Sequence, residues 1–238
     1  MLNSATQDTA KLLSLLPKDL LQTKTIGGLV LLAYCLTATP SPDIPTPPVI
    51  LKALLVLLIS SLQSNFALDE SLYILQTSFH HTPNSPTTLD PDLLTPLIRT
   101  LVPLASTHPS PQTRHITFRL LGTSLSHLPP LDKLYMLRDL LLSEESQSLV
   151  PMRVAAVGLL KDAVLQALGS EEKNPIASPV LFETLAGRLF KFDASSMSEL
   201  KELLENGEAK RLVETLSFYY VLSVRDVDNR VSIFLLIN

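Results

Sequence analysis

Cys35 is the only cysteine among the 238 residues of this chain, and it is the first candidate for a catalytic nucleophile. It lies in the run Leu-Leu-Ala-Tyr-Cys-Leu, where an apolar helix would raise the pKa of the thiol and hide it from solvent. The sequence contains no Gly-x-Ser-x-Gly elbow, no Walker pattern and no dinucleotide-binding fingerprint. We therefore expect Cys35 to be a buried packing residue and the protein not to be an enzyme. A lone cysteine also excludes an intrachain disulfide, which fits a reducing compartment.

Metal binding is the next chemistry to consider, and the candidate ligands are the histidines His80, His81, His108, His115 and His127. His80 and His81 are adjacent, but no acidic or cysteine partner stands at ligand spacing, and no His-Glu-x-x-His motif occurs. The pairs Glu144–Glu145 and Glu171–Glu172 fall in predicted loops, where solvated turns are favoured over catalytic carboxylates. We therefore expect neither a metal nor a cofactor.

Three loop sequences have the form of proline-directed phosphorylation sites: Thr39-Pro40-Ser41-Pro42, Thr46-Pro47 and Ser85-Pro86. A phosphate there would add charge to a half of the molecule that carries little. The alternative is that these loops are simply connectors. Phosphorylation at these sites is therefore a hypothesis that phosphopeptide mapping can test.

The composition favours helices over sheets and proteins over nucleic acids as partners. Apolar residues make up 46% of the chain, aromatic residues only 5%, and there are 7 glycines and no tryptophan. A net charge of −4 argues against binding to duplex nucleic acid, which needs a basic face. The apolar runs 26–36 and 50–62 are shorter than the roughly 20 residues of a membrane span, and no secretory signal begins the chain.

Apolar spacing and proline positions predict about eleven helices. Asp90-Pro91, Ser110-Pro111 and Ser178-Pro179 have the form of a polar N-cap followed by proline at the first helical position. Pro96 and Pro103 would bend or break the helix that contains them. The predicted helices cover residues 7–16, 18–36, 48–64, 69–79, 91–106, 111–127, 130–142, 148–168, 179–190, 196–205 and 208–226, with proline-rich loops at about 37–47 and 80–89.

The helix at 148–168 shows how such segments would pack, because it carries a broad apolar stripe that suits a position between neighbouring helices. That stripe consists of Val154, Val157, Leu160, Val164 and Leu168. We predict an all-α fold, an irregular α-solenoid of the HEAT or armadillo kind built from antiparallel helical pairs. One domain would span residues 1–230.

Two stretches resemble a known family. Residues 151–162 read Pro-Met-Arg-Val-Ala-Ala-Val-Gly-Leu-Leu-Lys-Asp, and residues 216–230 form an aromatic-rich segment that ends in Arg225-Asp226-x-x-Asn229. Both are similar to the helical-repeat family of glomulin, the plant lateral-root-formation proteins and the fungal YAP-binding proteins. The resemblance implies a non-catalytic adaptor in the cytoplasm, with the nucleus as a second compartment. It implies a protein partner, either a basic-zipper transcription factor of the oxidative stress response or a component of a cullin-RING ubiquitin ligase.

Tyr219, Arg225, Asp226 and Asp228 are the candidate protein-binding residues, chosen for their local character. The alternative role for them is packing and helix-end solvation. The apolar tail at 231–238 departs from the family pattern, and our hypothesis is that the chain is truncated there, with Val231-Ser232 encoded by an unspliced intron.

Two functions remain open at this point. The preferred one is a protein-binding scaffold without direct nucleic-acid binding, because stacked helices offer an extended surface for partners. The alternative is a structural helical protein that associates with membranes through its leucine-rich segments. Fractionation distinguishes them, since the scaffold is expected in the soluble phase and the alternative in the pellet.

Overall fold

A computed structural model of the chain describes residues 25–38, 47–80, 90–142, 150–189 and 207–232, and every regular element within these ranges is helical. The α-helices are α1 (Ile26–Ala38), α2 (Pro47–Ser64), α3 (Leu68–His80), α4 (Pro91–Thr107), α5 (Pro111–Ser126), α6 (Pro130–Leu142), α7 (Val150–Leu168), α8 (Val180–Leu189) and α9 (Glu208–Arg225). A short 3-10 turn, Pro175–Ala177, lies between α7 and α8. The prediction of an all-α fold of packed helices is confirmed, and the helices predicted at 7–16 and 196–205 lie outside the described residues.

Two of the three helix N-termini that were predicted from an N-cap followed by proline have the predicted structure. A carboxylate oxygen of Asp90 accepts the backbone N–H of Asp92 at 3.0 Å, and the hydroxyl of Ser110 accepts that of Thr113 at 3.3 Å. In each case the proline that follows occupies the first turn, where its missing N–H would have no partner in any case. The starts of α4 and α5 are therefore fixed by local sequence.

The third predicted start is wrong, because Ser178 does not cap a helix. Its hydroxyl donates to the carbonyl of Pro175 at 2.8 Å, and α8 begins only at Val180. The 3-10 turn just before it competes for that hydroxyl, and serine bonds to a preceding carbonyl as readily as it caps. Gly169, the residue after α7, does not have a left-handed conformation.

Helix α4 runs through both of its internal prolines without a break, so of the two predicted outcomes, bending and breaking, breaking does not occur. Pro96 and Pro103 have no N–H, so each removes one helical hydrogen bond. The hydroxyls of Thr100 and Thr107 donate to the carbonyls of the two prolines, at 3.0 and 2.9 Å. The apolar face of α4 is buried against α2 and α5, and this packing holds the helix together.

Replacing Pro103 by alanine should therefore stabilise the protein. The substitution restores the N–H that the carbonyl of Arg99 lacks, and Pro103 is exposed, so no core packing is lost. We expect the free energy of unfolding to rise by about 1–3 kcal/mol, which is the proline penalty less the entropy that proline removes from the unfolded chain. Urea denaturation followed by circular dichroism measures the change. Pro109→Ala, in the loop after α4, is the control and should give no gain.

Contacts between helices divide the chain into two compact units, residues 1–127 and 128–238. In the first unit, α1 contacts α3, α2 contacts α3 and α4, and α5 contacts α3 and α4. Each helix thus meets the next one, the one after it, or both, so helices that are near in sequence pack together. The core of this unit is mostly leucine, and fully buried members include Leu58, Leu62, Ile74, Leu75, Leu97, Ile98 and Leu101.

Cys35 lies inside the first unit with 5% of its surface exposed, so the expected burial is confirmed. Burial also raises the pKa of its thiol, as an apolar environment should. Gly27, near the start of α1, has no other atom near the place where a side chain would be. It therefore does not serve close packing.

In the second unit, α6 contacts α7 and α8, and α7 contacts α9. The 3-10 turn fills the space beside α6, α7 and α8. On α7 the predicted stripe is largely correct, because Val157, Leu160 and Val164 are buried. Val154 and Leu168 are only half-buried. Met152, Ala156 and Ala167 complete the buried face.

Candidate functional site

Helix α9 has one face inside the second unit and one face in solvent. Thr215, Phe218 and Leu222 form the inner face, which packs against α7. The helix begins after Gly207, whose left-handed backbone (φ 75°) is a conformation that glycine adopts without strain. It ends at Arg225, whose charge is favourable at a helix C-terminus. The anchored inner face fixes which residues the outer face presents.

The outer face of α9 carries a row of exposed apolar side chains, here called the α9 stripe. Its members are Val213, Leu216, Tyr220, Val224 and Val227. Between 54% and 87% of each side chain is exposed. Four of them stand three or four residues apart on the helix, and Val227 follows in the turn after it. At 1.5 Å per residue the four members on the helix span about 16 Å.

The N-terminal end of α9 is held by a group of charged side chains. Glu208 pairs with Arg211 at 2.7 Å and with Arg153 of α7 at 3.5 Å. Arg211 also donates to the carbonyl of Leu189, at the end of α8, at 3.1 Å. These contacts tie the first turn of α9 to two neighbouring helices and keep the α9 stripe in a fixed orientation.

The C-terminal end of α9 is held by a turn built on Asp226. Asp226 is 5% exposed, and its two carboxylate oxygens accept the backbone N–H groups of Arg230 and Val231, both at 2.8 Å. Asn229 sits inside the turn with φ 50°, a left-handed conformation that asparagine tolerates better than most residues. Val231 is fully buried. The first residue of the apolar tail is therefore part of this turn, and residues 233–238 lie outside the described residues.

Arg230 connects this turn to the end of α7. Its guanidinium donates to the carbonyls of Leu168 and Ser170, at 3.1 and 3.2 Å. The last carbonyls of a helix lack intrahelical partners, so a cation there satisfies both their hydrogen bonding and the helix dipole. The two helices that contain the stretches of family resemblance, α7 and α9, are thus also connected at this end.

The four residues singled out in the sequence are placed differently from one another. Tyr219 is half-buried on α9, and Arg225 and Asp228 are exposed at its C-terminal end. Asp226 lies inside, where its carboxylate is used by the turn. Sequence reasoning missed the α9 stripe itself. The signal that could have found it is a second set of apolar residues on α9, offset from the Phe218 and Leu222 face.

A family model described as "Uncharacterised protein family, YAP/Alf4/glomulin" matches residues 18–232. The chain belongs to this family. The match includes α7, α9 and the Asp226 turn, and the predicted family is confirmed. No curated protein and no solved structure matches the chain. Membership of the YAP/Alf4/glomulin family indicates a role in protein interaction.

The first unit of this family member carries a groove between α2 and α4 with a volume of about 610 Å³. Leu62 and Leu104 line its apolar part, and Pro96 and Pro103 form part of its α4 wall. Arg99 is also among the lining residues. The prolines of α4 therefore shape a surface as well as weakening a helix.

Two further properties concern only the ranges that the structure describes. Within them, no group of three or more histidine, cysteine, aspartate or glutamate residues could hold a metal ion. Within them, too, no helix has the length and apolar character that crossing a bilayer requires.

Proposed function

We propose that this member of the YAP/Alf4/glomulin family is a non-enzymatic adaptor that binds a protein partner on the α9 stripe. The observation that carries the proposal is the row of four apolar side chains, each more than half exposed, on a helix whose opposite face is buried, with exposed Val227 in the turn that follows. Contiguous exposed apolar surface of this kind marks interaction sites in soluble proteins. Covering it removes apolar area from water, at roughly 25 cal/mol for each Å².

The shape of the α9 stripe favours an amphipathic helix as the partner element. A row about 16 Å long matches the apolar face of a helix of about three turns, with side chains every three or four residues. Charges border the row at both ends, with exposed Lys210 near the start of α9 and exposed Arg225 and Asp228 near its end. Bordering charges of both signs would select among partners and fix the register of binding.

The resemblance suggests two partners with suitable helices. One is a basic-zipper transcription factor of the oxidative stress response, and the other is a component of a cullin-RING ubiquitin ligase. Both would place the adaptor in the cytoplasm, with the nucleus as a second compartment. Binding would regulate the partner, because a partner helix that is bound to the α9 stripe cannot make its other contacts.

The test is a titration of the full chain with a purified stress basic-zipper factor and with a purified cullin-RING complex. The double variant Leu216→Asp and Val224→Asp places two charges in the α9 stripe without touching its buried face. We expect it to bind the partner at least about 10-fold more weakly, because each carboxylate must lose water in the interface. Calorimetry measures the affinity, and circular dichroism checks that the helix content is unchanged.

A matched control places the same charges on another helix. Val49 and Val56 of α2 are exposed apolar residues in the first unit, at 50% and 83% exposure. Val49→Asp together with Val56→Asp should leave the affinity as it is. Equal weakening by both double variants, or binding of neither partner by the unaltered chain, would contradict the proposal.

A further inference from the structure

The α9 stripe is arranged evenly about Tyr220. Leu216 lies four residues before Tyr220 and Val224 four residues after it, and all three are on α9. An antiparallel copy of the helix, turned about Tyr220, would place Leu216 opposite Val224 on either side.

Charges beside the α9 stripe agree with the same arrangement. Glu214 lies six residues before Tyr220, and Arg225 lies five residues after it, on the same flank of α9. In an antiparallel pair the Glu214 of one copy therefore comes beside the Arg225 of the other, twice by symmetry. A parallel pair would leave Glu214 and Arg225 of the two copies about 16 Å apart along the helix axis, so this pairing needs the antiparallel arrangement.

We propose that in the free protein a second copy of this chain covers the α9 stripe, antiparallel and two-fold symmetric about Tyr220. The contact is isologous, so the same surface serves both copies and the assembly closes as a dimer. The two Tyr220 rings meet at the axis, where aromatic pairs add to the burial of apolar area. This inference rests on the proposed docking function of the α9 stripe. A second copy of the chain would occupy the stripe until a partner binds.

The size of the α9 stripe sets the strength of the dimer. The exposed side chains of the α9 stripe bury less than the roughly 1,600 Å² of a standard interface. The dimer therefore belongs to the class of weak and transient complexes. We expect dissociation constants of about 1–100 µM, which a partner with higher affinity overcomes. Dimerisation and partner binding are then mutually exclusive, because each needs the same row of side chains.

Disulfide trapping tests the symmetry directly, with the full chain as the background. Cys35 is 5% exposed, so an introduced cysteine is the reactive thiol. With Tyr220→Cys the two thiols meet at the axis, and mild oxidation should give a covalent dimer. With Val213→Cys they stand about 20 Å apart along the pair, far beyond the reach of a disulfide. The mixture of Leu216→Cys and Val224→Cys chains should cross-link again. Equal cross-linking of all single variants, or none by Tyr220→Cys, overturns the arrangement.

Charge reversal tests the same register without a covalent bond. Sedimentation equilibrium should show dimerisation of the unaltered chain, and Glu214→Arg or Arg225→Glu alone should weaken it about 3- to 10-fold. The double variant with both reversals should recover it, because the pairs are restored with exchanged signs. A chain that stays monomeric throughout this range overturns the inference. That result would not decide the proposed adaptor function. The adaptor function is tested separately, by titrating the partner against the unaltered chain and the Leu216 and Val224 double variant.

Discussion

Replacing Phe218 by alanine is expected to lower the free energy of unfolding by about 3–5 kcal/mol, the largest loss on α9. Phe218 is 1% exposed and lies at the centre of the helix face that packs against α7. Its removal leaves a cavity that the anchored ends of α9 prevent from closing, since Glu208 and Asp226 hold both ends. Urea denaturation, followed by circular dichroism at 222 nm, measures the change in the transition of the second unit.

Tyr220→Ala on the same helix is the matched control. Tyr220 is two residues away, but 69% of it is exposed. Its removal should change the free energy of unfolding by no more than about 0.5 kcal/mol, as for other surface substitutions. The pair thus separates stability from docking, since Tyr220→Ala weakens dimer formation and Phe218→Ala weakens the fold. A larger loss for Tyr220→Ala than for Phe218→Ala would mean that the two faces of α9 are assigned in the wrong order.

Most helix positions could be predicted because their signals are local. The prolines at the starts of α4 and α5 stand next to side chains that cap the helix, and both ends of α6 agree with the prediction. The leucine-rich helices bury their apolar faces by packing against one another. The failures have non-local causes. Ser178 bonds to a 3-10 turn that the sequence does not announce, and α4 survives Pro96 and Pro103 because neighbouring helices hold it.

The candidate site was predictable only in part. Sequence reasoning selected residues near the end of α9, from its unusual aromatic and Arg-Asp-x-x-Asn character. It could not decide which of two apolar sets on α9 faces α7, because Phe218 with Leu222 and Leu216 with Tyr220 are chemically alike. Only the tertiary contact with α7 makes one set the core and leaves the other in solvent.

Asp226 shows a second limit of the same kind. An aspartate just beyond a helix end is usually solvated, so its sequence position suggests a surface residue. The chain instead folds back after Asn229 and brings two N–H groups onto the carboxylate. Such a turn depends on a left-handed residue and on Arg230 reaching α7, and neither follows from apolar spacing.

Asp226→Ala is accordingly expected to lower the free energy of unfolding by about 2–4 kcal/mol. The substitution leaves the N–H groups of Arg230 and Val231 without an acceptor, and Val231 is buried, so water does not replace the lost bond without opening the turn. Arg230 would then lose its fixed position, and the carbonyls of Leu168 and Ser170 would lose their donor. Denaturation measures the loss, and faster amide hydrogen exchange in the last turn of α9 should accompany it.

Asp228→Ala is the control for this prediction, because it removes a carboxylate only two residues away from Asp226. Asp228 is exposed and makes no hydrogen bond or ion pair with the described residues, so stability should stay within about 0.5 kcal/mol. Because Asp228 borders the α9 stripe, its removal should act on association instead, weakening the dimer or partner binding by a small factor. Equal destabilisation by the two substitutions would show that net charge, rather than the two bonds to Arg230 and Val231, holds the turn. A larger loss of unfolding free energy for Asp226→Ala than for Asp228→Ala would show that the two residues have different roles. Asp226 would act in folding and Asp228 in recognition.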